Sequence, residues 1–176
     1  MSDTTKLTPL QQRFVLTWGE MGARWGINRT VAQIHALLYV APGPLHAEAI
    51  ATTLRVARSN VSTSLRELQG WGLVRMVHVM GDKRDHFETL KDAWEMFRVI
   101  ANQRKRNEID PTRSVLRECL RDAGADDALR ARLQAMSEFF ETTSSWYEQV
   151  SQWPPSALRR FLQLGDKTLR LLKPGR

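Results

Sequence analysis

The stretch Leu45–Thr89, LHAEAIATTLRVARSNVSTSLRELQGWGLVRMVHVMGDKRDHFET, constrains the fold more than any other part of the chain. From His46 to Leu54, Ala47, Ile50 and Leu54 recur at helical spacing, and Arg55-Val56-Ala57 breaks the run. From Arg58 to Gln69, Val61, Leu65 and Leu68 fall within roughly 60° of each other at about 100° per residue. Gly70 and Gly72 are expected to stop this second helix, because glycine takes the left-handed conformation at no Cβ cost. Leu73–Met80 reads as extended, with Val74, Met76 and His78 opposed to Arg75, Val77 and Val79. Gly81-Asp82-Lys83-Arg84-Asp85 makes a charged turn, and His86–Thr89 is the returning strand.

Helix, tight turn, helix and a hairpin with a basic tip is the order of a winged helix-turn-helix, a module that reads DNA with its second helix. The face of that helix opposite the apolar stripe supports the same reading. Ser59, Thr63 and Arg66 point away from it and Ser62 lies on the flank, a slim face able to exchange hydrogen bonds with base edges. Arg58, Ser59, Asn60, Ser62, Thr63 and Arg66, with Lys83 and Arg84 at the wing tip, are the candidate DNA-binding residues. The alternative is an ordinary polar surface helix; the basic hairpin that follows at once weighs against it.

The run from Pro44 to Phe87 resembles the MarR superfamily of winged-helix regulators. The likeness is carried by L-x-V-x-R-S-N-V-S-x-x-L-x-x-L (Leu54–Leu68), W-G-L-V (Trp71–Val74) and the G-D-K-R-D wing. Upstream, F-x-x-x-W-G-x-x-G-x-x-W-G-I-x-R (Phe14–Arg29) and A-Q-I-H-A-L-L-Y (Ala32–Tyr39) are most similar to its GbsR-like branch, the glycine-betaine-synthesis regulators. The resemblance covers about Leu7 to Ile109. It implies a homodimer formed by the flanking helices, a palindromic double-stranded operator and often a small-molecule effector. In such dimers ligands commonly bind where the dimer helices meet the DNA-binding lobe, which here is expected to gather Trp18, Trp25, Trp94 and Phe97. One departure is Ala57, where the family usually has a capping Ser; the helix start loses a side-chain cap, typically ~1 kcal/mol.

The expected architecture is mainly α with a small β-hairpin wing, in a chain of 176 residues. It has N-terminal helices over 1–43 for support and dimerisation, the winged module over 44–90, and a C-terminal helical region over 91–176. Thr8-Pro9 is expected to cap and open a first helix in which Leu10, Phe14, Trp18, Met21 and Trp25 recur, with Gly22 allowing close packing. A second helix, Arg29–Val40, is expected to bury Val31, Ile34, Leu37 and Leu38, with His35 at the core or its edge. Beyond the wing, a helix over Lys91–Asn107 is expected to turn Trp94, Phe97 and Ile100/Ala101 inward, with cations Arg104-Lys105-Arg106 at its C-terminal end. Asp110-Pro111 restarts a helix that Asp122-Ala123-Gly124 ends. From Ala125 to Trp153, Leu129, Leu133, Met136, Phe140, Thr143, Tyr147 and Val150 form a heptad seam, suited to a partner helix or to the chain's own bundle. The last helix, Ser156–Leu172, aligns Leu158, Phe161/Leu162, Leu169 and Leu172. It carries Arg159, Arg160, Lys167, Arg170, Lys173 and Arg176 against Asp166, a cationic face suited to solvent on a dimer arm or to a membrane surface.

Charge and cysteine content narrow the class. With 26 Lys and Arg against 19 Asp and Glu the net charge is +7, and the sequence pI of about 10.2 favours a polyanionic partner. The single cysteine, Cys119, cannot make an internal disulfide, which fits a reducing cytosol; beside Leu116 and Leu120 it reads as a buried structural thiol. Hydrophobic residues make up 42%, yet no apolar run reaches ~18 residues and the N-terminus has no hydrophobic signal core. A cytoplasmic protein without membrane association is expected. No phosphate loop, His-Glu-x-x-His helix or Cys-x-x-Cys pair occurs, so neither an enzyme nor a cofactor or metal protein is expected. His78 and His86 are expected to face each other across the hairpin, a pair that a carboxylate would have to complete as a zinc site. The rival readings are a winged-helix module that contacts protein and an architectural protein that binds DNA without sequence preference.

Overall fold

The computed structural model describes residues 6–123 and 126–172. Its elements are α1 (Pro9–Arg24), α2 (Arg29–Val40), β1 (Leu45–His46), α3 (Ala47–Leu54), α4 (Arg58–Gly70), β2 (Val74–Val77), β3 (His86–Thr89), α5 (Ala93–Arg104), a π-helical turn (Lys105–Ile109), α6 (Asp110–Asp122), α7 (Asp127–Ser151) and α8 (Pro155–Leu172). They fall into two compact units, the first ending at residue 100 and the second starting at 101.

Local chemistry sets the helix starts in the first unit. Thr8 accepts from the Gln11 backbone at 3.2 Å while Gln11 Oε1 accepts from the Thr8 amide at 2.9 Å, a capping box with Pro9 at the first helical position. Asn28 caps α2 through Thr30 N–H at 2.8 Å. Each such cap satisfies helix-end donors that burial would leave orphaned. Gly22 lets α1 meet α2, because a Cβ there would lie 2.5 Å from the Ala32 Cβ. The α1 face that buries is Val15, Gly19 and Gly22, with Phe14 and Trp18 partly covered; Leu10 and Trp25 of the expected stripe are exposed.

The core joins α2 (Ile34, Leu37, Leu38), α3 (Ile50), α4 (Val61, Leu65, Leu68), Leu73 and Met96 of α5. The N-terminal helices therefore share one core with the winged module. On α5 it is Met96 that buries, while Phe97 stands exposed. Lys91 ties this part of the chain to α2: its Nζ donates to the carbonyls of Leu38, Tyr39 and Ala41 at 2.8, 2.7 and 3.2 Å. That is where the dipole of α2 favours a cation.

The sheet is antiparallel in the order β1-β3-β2, one strand more than the expected hairpin. The second strand is shorter than the expected Leu73–Met80. Its register sets Val77 opposite His86, so His78 does not face His86; His46 of β1 does, with the two rings edge-on at 5.5 Å. Of the two glycines expected to stop α4, only Gly72 takes a positive φ, +79°, and Gly70 remains the last helical residue.

In the second unit the helical path does not break at Asn107 but runs through the π turn into α6. Arg104 and Lys105 consequently pair with carboxylates instead of ending a helix: Arg104 with Glu108 at 3.3 Å, and Lys105 with Asp110 at 2.8 Å and Glu148 at 2.9 Å. Across α6 and α7, Glu141 meets Arg113 and, at 2.9 Å, Arg117. The seam on α7 splits: Leu133, Phe140, Tyr147 and Val150 are half-buried, whereas Leu129, Met136 and Thr143 are exposed. Cys119, expected buried, is exposed. Gly124 and Ala125, the side chains of Leu162, Asp166, Lys167, Leu169, Arg170 and Leu172, and residues Lys173 and Arg176 lie outside the described residues.

Candidate nucleic-acid interface

Three local features aim α4 outward. Its apolar stripe, Val61, Leu65 and Leu68, is at most 2% exposed, which fixes the helix about its axis. Its start at Ala57 has no side-chain cap, as the sequence implied. The turn before it is made by Arg55 in the left-handed conformation, φ 55° and ψ 43°.

The stripe's burial leaves Arg58, Ser59, Asn60, Thr63 and Arg66 exposed and Ser62 half-buried. Arg58 Nη1 donates to Ser62 Oγ at 2.5 Å, and that hydroxyl donates to the Arg58 carbonyl at 3.1 Å. Arg66 Nη2 reaches Thr63 Oγ1 at 3.4 Å. Both arginines are thus held along the helix surface by short hydroxyl side chains, with further guanidinium donors available.

The wing is organised by Asp82. Its carboxylate accepts from Arg84 Nε at 3.0 Å and Nη2 at 2.6 Å, and from the Arg84 amide at 2.9 Å. These hydrogen bonds hold the Asp82 pKa well below the usual carboxylate range. His86 Nδ1 donates to the Arg84 carbonyl at 2.9 Å, and His46 caps α3 by accepting from Ala49 N–H at 3.2 Å. Arg84 is therefore set in orientation by Asp82, a device not expected from the charged turn in the sequence.

The helix face and the wing meet in one groove of about 450 Å³. Five of the eight candidate residues line it: Arg58, Ser62 and Arg66 from α4, Lys83 and Arg84 from the wing. Ser59, Asn60 and Thr63 lie on the exposed helix surface outside it. Gln69, Glu48 and Asp85 also line the groove and were not singled out. Gln69 was available to helical spacing, being three and seven residues beyond Arg66 and Ser62; Glu48 comes from the start of α3. With four cations against Glu48 and Asp85, the groove is net positive, which suits a polyanion carrying hydrogen-bonding edges.

Of the expected aromatic gathering, Trp18 lines a cavity. The cavity, of about 180 Å³, lies between α1, α2 and the start of α5, with Trp18, Phe14, Tyr39, His35 and Met96 in its wall. Trp25 and Phe97 are exposed and Trp94 is half-buried; none of the three lines that cavity. His35 is buried there, its Nε2 has no hydrogen-bond partner, and burial lowers its pKa to about 4. No group of His, Cys, Asp and Glu among the described residues is placed to hold a metal ion. No described helix is long and apolar enough to cross a membrane.

This arrangement is a winged helix. More particularly, residues 16–85 match the model of the MarR family, from the middle of α1 to the wing tip. A solved structure described as a transcriptional regulator superposes with a TM-score of 0.66 at 23% identity, over 88% of this chain and 99% of its own; that likeness shows the fold. Fainter likenesses are a MepR mutant of Staphylococcus aureus bound to an oligodeoxyribonucleotide (TM-score 0.39, 14% identity, 93% of each chain) and a transcriptional regulator from Thermotoga maritima (0.39, 17%, 76% of this chain and 91% of that one). No curated protein matches the chain.

Proposed function

We propose that the protein is a MarR-type transcriptional regulator that binds double-stranded DNA sequence-specifically, with α4 in the major groove and the 81–85 wing on phosphate or in the minor groove. The observation that carries this reading is the groove that brings Arg58, Ser62 and Arg66 together with Lys83 and Arg84. Phosphate contacts from the wing supply affinity and register, and base-edge contacts from the fixed helix face supply sequence choice. The match over residues 16–85 supports the same assignment, and the Phe14–Arg29 and Ala32–Tyr39 motifs favour the GbsR-like branch.

The working unit is a homodimer on a palindromic operator in the cytoplasm. Supporting dimerisation are large apolar side chains left open to solvent, Leu10 and Leu16 on α1 and Met136, Phe139 and Trp146 on α7. Sedimentation of the full chain and of one truncated after Asn107 tests the share carried by the C-terminal helices. A small-molecule effector acts through the aromatic region of Trp18, Trp25, Trp94 and Phe97; a cavity of about 180 Å³ lies beside Trp18.

Selection of bound sequences from a random DNA pool tests the reading. It is expected to enrich one motif with two half-sites about one helical turn apart. Binding without enrichment would make the protein architectural, and no binding would leave the helix face to a protein partner.

A further inference from the structure

The wing carries an apolar tip that lies outside the α4–wing groove. Beyond β2 the chain turns over Val79-Met80-Gly81-Asp82, where the Asp82 amide donates to the Val79 carbonyl at 3.1 Å. Gly81 has φ +84°, the left-handed value that the third residue of such a turn takes. A Cβ there would meet nothing within 4 Å, so the glycine serves the turn and not a close approach. Met80, the second residue, is left fully exposed, with Val79 beside it 38% exposed.

A single exposed apolar side chain is ordinary; its setting here is not. The loop below it is fixed, because the Asp82 carboxylate accepts from both the Arg84 amide at 2.9 Å and the Arg84 guanidinium at 2.6 Å. Lys83 and Arg84 follow Met80 closely in sequence and line the groove proposed for DNA, so the tip continues that interface. An apolar tip with cations at its base suits a surface whose anions stand at the rim and whose interior is apolar. The minor groove is such a surface, with phosphates along its edges and stacked bases between them. Methionine is unbranched and adaptable, and apolar wedges inserted there part a base step and bend the duplex.

We infer that Met80 is a wedge: it enters the minor groove where the wing meets DNA and unstacks one base step, with Lys83 and Arg84 on the flanking phosphates. Pyrimidine–purine steps part most easily, so the wedge selects a flexible step at a position where no hydrogen bond reads a base. Sequence choice then has a second source besides the α4 face. The inference rests on the proposed DNA binding and adds to it a residue and the kind of base step that residue selects.

The test uses the full chain and a selected operator in which 2-aminopurine, whose fluorescence rises on unstacking, replaces adenine at successive positions. The parent is expected to raise the signal at one step on each flank, and Met80→Ala to abolish that rise. Met80→Ala should also weaken operator binding at least about fivefold, with the salt slope unchanged because no phosphate contact is lost. Met80→Leu keeps an apolar wedge and is expected to retain the rise; Met80→Gln, of similar length but polar, is expected to lose most of it. Replacing the unstacked step by a stiff A-tract step should weaken the parent and leave Met80→Ala unaffected. A parent that binds the operator with no rise at any position, a rise that survives Met80→Ala, or a salt slope lowered by Met80→Ala would each overturn the wedge and leave the DNA-binding proposal standing. Failure of the parent to bind any DNA would sink both. Altered sedimentation of DNA-free Met80→Ala would make the tip a contact between copies of the chain instead.

Discussion

Acid should destabilise the first unit through His35. The imidazole is 3% exposed, its Nε2 has no hydrogen-bond partner, and desolvation by burial lowers its pKa from 6.5 to about 4. The unfolded chain therefore binds a proton that the folded one refuses, between these two values. A depressed folded pKa means that the stability contribution is fully present above pH 6.5, falls as pH falls, and is gone below about 4. Each pKa unit is worth about 1.4 kcal/mol, so the gap amounts to about 3 kcal/mol, a large share of the roughly 5–15 kcal/mol that holds a domain folded. Urea unfolding of the parent and of His35→Leu from pH 7.5 to pH 4 isolates this, because every other titrating group is common to both. The stability of the parent relative to the variant is expected to fall by about 3 kcal/mol across that range. A constant difference would show that the imidazole is charged or satisfied in the folded protein, and the reasoning from burial would fail.

Two further substitutions probe the scaffold. Gly22→Ala sets a Cβ 2.5 Å from the Ala32 Cβ and should cost about 1–3 kcal/mol by overpacking, seen as a lowered Tm; an unchanged Tm would mean that α1 and α2 are not in this close contact. Lys91→Met removes a cation from three carbonyls at the end of α2 and should cost about 1–3 kcal/mol by urea unfolding, with no loss expected if those carbonyls are instead hydrated.

What could be read from the sequence was what is local. The α4 stripe of Val61, Leu65 and Leu68 and the bounds of α2 follow from a period and from turn residues, and both stand in the fold. Thr8-Pro9 starts its helix through a bond within three residues. The misses come from contacts distant in sequence. β1 is two residues long and exists only because it pairs with β3, which no periodicity in Leu45-His46 announces. The buried edge of α1 also includes Gly19, whose lack of a side chain makes it invisible to a hydrophobic stripe yet lets α2 approach; Gly22, expected to allow close packing, does so. Cys119 was read from its Leu neighbours as buried, but α6 leaves that side uncovered. Within the interface, the helix face was legible from its composition. Asp82 was not, because a carboxylate beside two cations reads as charge cancellation and not as a clamp that orients Arg84.

The central claim is that the α4 face reads bases while the wing grips the backbone. Arg66→Ala and Arg84→Ala, measured on a selected operator and on scrambled DNA across a salt series, test it most directly. Arg66→Ala should lose ~1–3 kcal/mol mainly on the operator and at one base pair, with non-specific affinity reduced less. Arg84→Ala should weaken both DNAs and lower the salt slope by about one per lost phosphate contact; a larger loss at A·T-rich flanks would place it in the minor groove. Equal losses on both DNAs for Arg66→Ala would make Arg66 a phosphate clamp and contradict the assignment of the reading face.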